Sequence, residues 1–186
     1  MENKTRCAWC EKDDLYRNYH DNEWGKPVYD DETIFEFLIL ETFQAGLSWY
    51  TVLAKRENFR KAFDNFDLMK IANYSEDKMD ALAEDAGIIR NKLKIKATVT
   101  NAQAFIKVQE EFGSFSKYIW GFVDGKPIDN KPKTLNEVKA TTPISDALSK
   151  DLKKRGFKFV GSTVMYAHMQ ATGMVNDHIL ECHKRK

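Results

Sequence analysis

Apolar residues recur along this chain at helical spacing and nowhere in sustained alternation. Asp30 and Asp31 can cap a helix running through ETIFEFLILETFQA, which Gly46 ends. Ser48 caps a second helix, with Trp49, Val52, Leu53, Phe59 and Phe63 as its apolar stripe. Ser75 opens a short helix that stops near Gly87. A longer helix is predicted over about Lys92 to Phe112, closed by Gly113, and a brief aromatic segment, FSKYIWGF, follows. The stretch DGKPIDNKPKTLNEVKATTP is polar, broken by proline, and reads as a loop. Pro143 suits the first position of the next helix, where Ile144, Leu148 and Leu152 recur every four residues. A last helix runs from near Gly161 to Gly173. With no alternating strand, internal repeat or low-complexity segment, the predicted fold class is all-α.

At 186 residues the chain has room for one domain, 1–186, around a single core. Its 42% hydrophobic and 31% charged residues are ordinary for a globular protein. The opening stretch MENKTRCAWCEKDD lacks the apolar region of a signal peptide, and no apolar run approaches membrane-spanning length. The expectation is a cytoplasmic protein with no membrane partner, whose thiols stay reduced and free to bind metal. A net charge of +1 does not announce nucleic acid, so such a partner would have to be met by local patches. No dimer stripe is evident, and a monomer is expected.

The cysteines and histidines change the picture. All three cysteines and three of the four histidines cluster at the two ends of the chain: Cys7, Cys10 and His20, then His178, Cys182 and His183. Thiolate and imidazole are zinc ligands, and a structural zinc takes four of them. The spacing therefore predicts a Zn²⁺ site tying the N-terminus to the C-terminus. His178 and Cys182, four apart, would share one face of a helix, and Cys7 and His20 would complete the set. Spacing alone leaves Cys10 and His183 as alternative ligands. Cys7 and Cys10 also form a CxxC that could be a redox pair, but no βαβ pattern accompanies it.

Two further segments carry chemistry. LKKRGFKFVGSTVMYAHMQATG places a short turn, Gly156 to Gly161, between two helices, with Lys153, Lys154, Arg155 and Lys158 around it. Glycine permits close approach of backbone to ligand, and the free N–H groups of the second helix suit a phosphate. The bland alternative is an αα corner with a solvated basic face. Lys92, Lys94 and Lys96 form a second basic run, expected to be only an exposed face. Glu41 stands in FLILETF with apolar Phe37 and Leu38 one turn behind it, so it is expected to face the core side. A buried charge must be paired or used; a salt bridge is the alternative. QAGLSW, with Leu47 near its tip, follows at once. With Trp9, Tyr16, Tyr19, Trp24 and Trp49, Glu41 could form a stacking box for a base.

At this point RCAW (6–9), YHDNEWG (19–25), QAGLSW (44–49), DAGIIRNKLKI (85–95), SDALSKDLKKRGFKFVG (145–161) and MVNDH (174–178) together resemble the 3-methyladenine DNA glycosylase I (Tag) family. The blocks occur in order over nearly the whole chain. The resemblance implies a helix-hairpin-helix glycosylase fold with a zinc site joining the termini, and ligands Cys7, His20, His178 and Cys182. It implies excision of 3-methyladenine from alkylated double-stranded DNA by cleavage of the N-glycosidic bond, without lyase activity, releasing free 3-methyladenine. Glu41 corresponds to the glutamate that contacts the extruded base and is the candidate catalytic residue; Trp9, Tyr16, Tyr19 and Trp49 match the base-binding aromatics. Gly46 and Leu47 match the loop that fills the gap in the duplex, and Arg155, Gly156, Lys158 and Gly161 the DNA-backbone clamp.

The wider helix-hairpin-helix superfamily carries a catalytic aspartate in a VD motif. Here that position is Asn176, and Asp177, one residue along, should point elsewhere. Thr42, Phe43 and Tyr50 depart modestly from the expected pattern. Two rival readings remain: a non-catalytic DNA-binding module with structural zinc, and a zinc hydrolase, which would need an open coordination position.

Overall fold

The computed structural model describes residues 4–185. Its helices are α1 (Asp14–Asn22), α2 (Asp31–Gln44), α3 (Trp49–Leu53), α4 (Arg56–Ala62), α5 (Leu68–Ala72), α6 (Glu76–Glu84), α7 (Lys92–Phe112), α8 (Phe115–Trp120), α9 (Pro143–Lys154) and α10 (Ser162–Ala171). Short 3₁₀ turns join several of them. The all-α expectation holds for the bulk of the chain.

Helix α2 runs through the centre. Its residues from Phe37 to Phe43 are buried without interruption, and it packs on α3, α7, α8 and α10. That is why FLIL shows no polar face: a helix buried all round needs none. Phe35 meets Phe105 of α7 at 5.1 Å, which stacks on Phe115 of α8 at 3.9 Å. Phe43 meets Phe59 of α4 at 4.8 Å. Both predicted acidic caps are used, differently. Asp30 accepts the Thr33 N–H, while Asp31 accepts from Gln109 Nε2 and the N–H groups of Phe115 and Ser116. Asp31 thereby ties α7 and the start of α8 to the start of α2.

The structure corrects the sequence reading in four places. The helix expected from Ser48 to Phe63 breaks at Ala54–Lys55. There Lys55 reaches the carbonyls of Ala86 and Gly87, and Arg56 the carboxylates of Glu23 and Glu36. Tertiary anchoring thus sets the break that local propensity did not. Strands exist: β1 (Ile128–Asp129) pairs in parallel with β2 (Val175–Asn176), too short for alternation to show. His178 and Cys182 do not lie on a helix but flank a turn in which the Cys182 N–H meets the Ile179 carbonyl. Lys94 is not on an exposed face. It is 6% exposed, and its ammonium donates to the carbonyls of Phe43 (2.8 Å) and Ala45 (2.6 Å). Carbonyls left free at the end of α2 attract a cation inward. Lys92 and Lys96 are exposed, as expected.

Residues 25–28 run against the end of α10: the N–H groups of Gly25 and Val28 donate to the carbonyls of Gln170 and Thr172. Gly173 makes this approach possible. Its φ is +68°, and a Cβ there would lie 2.3 Å from the Lys26 carbonyl carbon and 2.4 Å from Pro27 N. Gly173→Ala combines backbone strain with a clash against main chain, and is expected to cost roughly 3 kcal/mol, or about 10 °C in Tm. Thermal unfolding checks this; a shift under about 3 °C would contradict the close packing.

Candidate functional site

Helix α1 serves two sites at once. Asp13 caps it by accepting the Tyr16 N–H at 2.9 Å, and also accepts the Tyr50 hydroxyl, which fixes α1 against α3. Tyr16, Tyr19 and His20 fall on one face at helical spacing. The tyrosines turn into a cavity of about 200 Å³, and His20 turns into a cluster of cysteine and histidine side chains.

The cavity is walled by Trp9, Tyr16, Tyr19, Trp24 and Trp49, with Glu41 among them. Trp9 meets Tyr16 at 4.8 Å and Trp24 at 5.0 Å, both edge-on, and Tyr19 meets Trp49 at 5.3 Å. Glu41 is 2% exposed and, among the described residues, its Oε2 has no hydrogen-bond partner; neither has the Trp49 indole N–H. The salt-bridge alternative for Glu41 is therefore absent. Burial alone pushes its carboxyl up to about 8. Tyr19 is likewise held well above its ordinary value, by burial first and by Glu41 second. A buried carboxyl and a buried indole N–H, each without a partner among the described residues, on residues that wall an aromatic cavity suit a flat, polar-edged ring.

Cys7, His20, His178 and Cys182 converge, all buried, with ligand atoms within 4.8 Å of one another. They could hold a metal ion. Each imidazole is oriented from behind. His20 Nδ1 lies 2.8 Å from Asp21 and His178 Nε2 lies 3.2 Å from the Trp24 carbonyl, so His20 Nε2 and His178 Nδ1 face the cluster. This carboxylate- or carbonyl-backed geometry is typical of metal-binding histidines. Burial pushes the Cys7 thiol up to about 12 and His178 down to about 4, so a neutral imidazole is ready to coordinate and a thiolate calls for a cation. The alternatives resolve geometrically: the Cys10 thiol donates to the Cys7 carbonyl, and His183 contacts Thr5, both outside the cluster.

The loop of Gly46 and Leu47 lies beside the start of α10, which follows the Gly156 to Gly161 turn. Gly46 and Leu47 share a depression with Thr163 and Val164 at the start of α10, and Leu47 is 42% exposed. Buried Asn101 of α7 clamps the hairpin: its amide donates to the Lys158 carbonyl and accepts the Lys158 N–H. Gly156 has φ +95°, and a Cβ at Gly156 or Gly161 would meet nothing within 4 Å. Gly161 caps α10 without a side chain, so the first N–H groups of that helix stay free. Arg155 is otherwise engaged. It pairs with Glu111 (2.6 Å) and Asp151 (2.7 Å) and lies over Phe112 and Tyr118. Lys153, Lys154 and Lys158 are exposed and, among the described residues, carry no ion pair.

Sequence reasoning missed several cavity residues: Gln44, Leu135, Val138, Ala167 and Gln170. Gln44 lies one turn beyond Glu41 and could have been found from that spacing. Leu135 and Val138 belong to the segment read as a polar loop, which gives no local signal. Asn176 and Asp177 do not line the cavity. Asn176 sits in the short parallel pair, and Asp177 is buried in a polar network. Thr42 and Phe43 are core residues, and the Thr42 hydroxyl is satisfied by donating to the Ile39 carbonyl at 2.7 Å.

A family model described as methyladenine glycosylase matches residues 9–185. The chain is 50% identical to DNA-3-methyladenine glycosylase 1 of Escherichia coli (strain K12) over 177 residues, 95% of each protein. It is 48% identical to DNA-3-methyladenine glycosylase of Haemophilus influenzae over 178 residues, 96% of each. A solved structure of 3-methyladenine DNA glycosylase I from Staphylococcus aureus, described as the basis of 3-methyladenine recognition, is similar with a TM-score of 0.94. That structure is 37% identical, over 97% of this chain and 96% of that one.

The buried carboxyl makes a stability prediction. The unfolded chain releases the Glu41 proton near pH 4.5, the folded chain near 8. Within that window the unfolded state binds fewer protons, so this group lowers folding stability as pH rises, by about 1.4 kcal/mol per pH unit. Glu41→Gln has no proton to lose. Denaturant titrations from pH 5 to 9 should show the variant gaining on the wild type with rising pH; a constant difference would contradict the burial of Glu41.

Proposed function

The chain belongs to the methyladenine glycosylase family, and from that premise we infer that it removes 3-methyladenine from alkylated DNA by hydrolysing the N-glycosidic bond. The observation that carries this reading is the unpartnered carboxyl of Glu41 inside an aromatic cavity. A 3-methylated adenine in DNA is cationic. Aromatic faces and a carboxylate both favour a cation, and neither gives that advantage to ordinary neutral adenine. Water adds to the sugar carbon as the bond to the base breaks. The electron pair of that bond leaves with the base, which departs neutral, and the proton of the attacking water is released.

The weak bond to a cationic leaving group makes a strong catalytic carboxylate at Asn176 unnecessary. Glu41 contacts the base edge and, ionised by the arriving cation, balances positive charge as it passes from base to sugar. Among the described residues no lysine lines the cavity, which supports hydrolysis without Schiff-base lyase chemistry. Leu47 fills the gap left by the extruded nucleotide. The free N–H groups at the start of α10, with Lys158 and the turn from Gly156 to Gly161, hold a backbone phosphate. Arg155 supports the hairpin from behind rather than offering a free charge. The protein works as a monomer in the cytoplasm.

We assign the metal as zinc, on a donor set of two thiols and two imidazoles. Zinc bound there joins the chain ends; four buried protein ligands supply a closed, structural site rather than a hydrolytic one.

Methylated duplex DNA incubated with the protein should release free 3-methyladenine, identified by chromatography. Glu41→Gln should lower both excision and binding of the free base, by at least about tenfold each. A Glu41→Gln variant with full binding and full excision would remove Glu41 from the site. The purified protein should carry one equivalent of zinc. Cys7→Ser should lower Tm by roughly 10 °C while the single-turnover rate per folded molecule falls far less. An unaltered Tm would sink the structural role of the cluster.

A further inference from the structure

Asp177 does not line the base cavity, yet it holds a residue that does. It is 1% exposed. Its Oδ1 accepts from Asn130 Nδ2 at 2.7 Å, and its Oδ2 accepts from the Tyr166 hydroxyl and from Gln170 Nε2, both at 2.8 Å. Tyr166 and Gln170 lie one turn apart on α10. Asn130 is delivered by the two-residue sheet, where its N–H donates to the Asn176 carbonyl. The segment that follows Asn130 then carries Leu135 and Val138 into the cavity wall.

Asp177 Oδ2 accepts from both Tyr166 and Gln170, so the end of the Gln170 amide that faces it is the N–H end. Nε2 is committed to Asp177. The other end of the amide, Oε1, is left for the cavity that Gln170 lines together with Glu41 and Trp49. We propose that Asp177 positions Gln170 so that its amide oxygen faces the base as an acceptor, and that this oxygen selects purines bearing an amino group at position 6 over those bearing a carbonyl. The inference rests on the glycosylase reading above and names its selectivity. A 6-amino group can donate to that oxygen. A 6-carbonyl would set lone pair against lone pair, and the ionised Glu41 carboxylate, also acceptor-only, offers it no alternative. Gln170 is then a specificity-determining residue, and Asp177 a positioning residue that acts through it.

The test compares release of 3-methyladenine and 3-methylguanine from methylated duplex DNA by the wild type, Gln170→Ala and Asp177→Asn. The wild type should favour 3-methyladenine. Gln170→Ala should narrow the ratio of the two kcat/KM values by about tenfold. Asp177→Asn, whose new amide can donate, frees the Gln170 amide to turn over and should narrow the ratio in the same direction. Should Asp177→Asn fold poorly, the ratio in Gln170→Ala against the wild type decides alone. Loss of general stability would not move this ratio. An unchanged ratio in Gln170→Ala, with 3-methyladenine still released by the wild type, overturns this inference alone. Release of neither base by the wild type overturns the glycosylase reading and the inference with it.

Discussion

The junction of the two chain ends is the constraint on which the site depends. Helix α1 buries only Tyr19 and His20 among its nine residues, too little apolar surface to hold it in place. Its position comes instead from the cluster of Cys7, His20, His178 and Cys182, and from contacts around it. Arg6 pairs with Asp21 at 2.8 Å, and the same carboxylate orients His20. The wall of the base cavity leans on this junction directly. Trp9 meets the His20 ring at 5.4 Å, and Trp24 meets the His178 ring at 4.6 Å. The convergence of these side chains, the ion pair and the aromatic contacts thus hold the N-terminal segment in place, and the aromatic wall rests on the far end of the chain.

The opposite wall has a different foundation. Helix α2 is pinned at its start by Asp31, which gathers α7 and α8, and at its end by Lys94. Between these pins it is surrounded by core. Glu41 is therefore presented from one of the most deeply buried elements of the molecule, and the loop of Gly46 and Leu47 begins where Lys94 holds the last carbonyls. A carboxyl in such a place cannot relax toward solvent. Burial pushes its carboxyl up to about 8, and a positive charge brought beside it would favour the ionised form.

Much of this was legible in the sequence, and the failures have physical reasons. Glu41 in an unbroken apolar helix, the aromatics around it and the cysteines and histidines that converge from the termini all signalled themselves by residue type and spacing. The clustering of cysteine and histidine at the chain ends showed the junction, although the helical face assumed for His178 and Cys182 is a turn. Family blocks, not spacing, chose Cys7 over Cys10, and the geometry agrees. What local pattern could not show was tertiary. Lys94 reads as one of three exposed lysines until the end of α2 lies above it. Arg155 reads as a free cation until Glu111 and Asp151 approach from α7 and α9. Leu135 and Val138 sit in a stretch whose polarity conceals that part of it closes a cavity.

The short parallel pair of β1 and β2 shows how one segment changes use. This chain places Asn176 in a backbone bridge, its side chain accepting the His178 N–H at 3.2 Å. The next residue, Asp177, turns inward to the network on α10, and the residue after that joins the metal cluster. Three consecutive side chains thus serve three different structures. A cationic base needs one carboxylate to receive it. With departure made easy by the charge of the base itself, the segment is free to hold the walls in place.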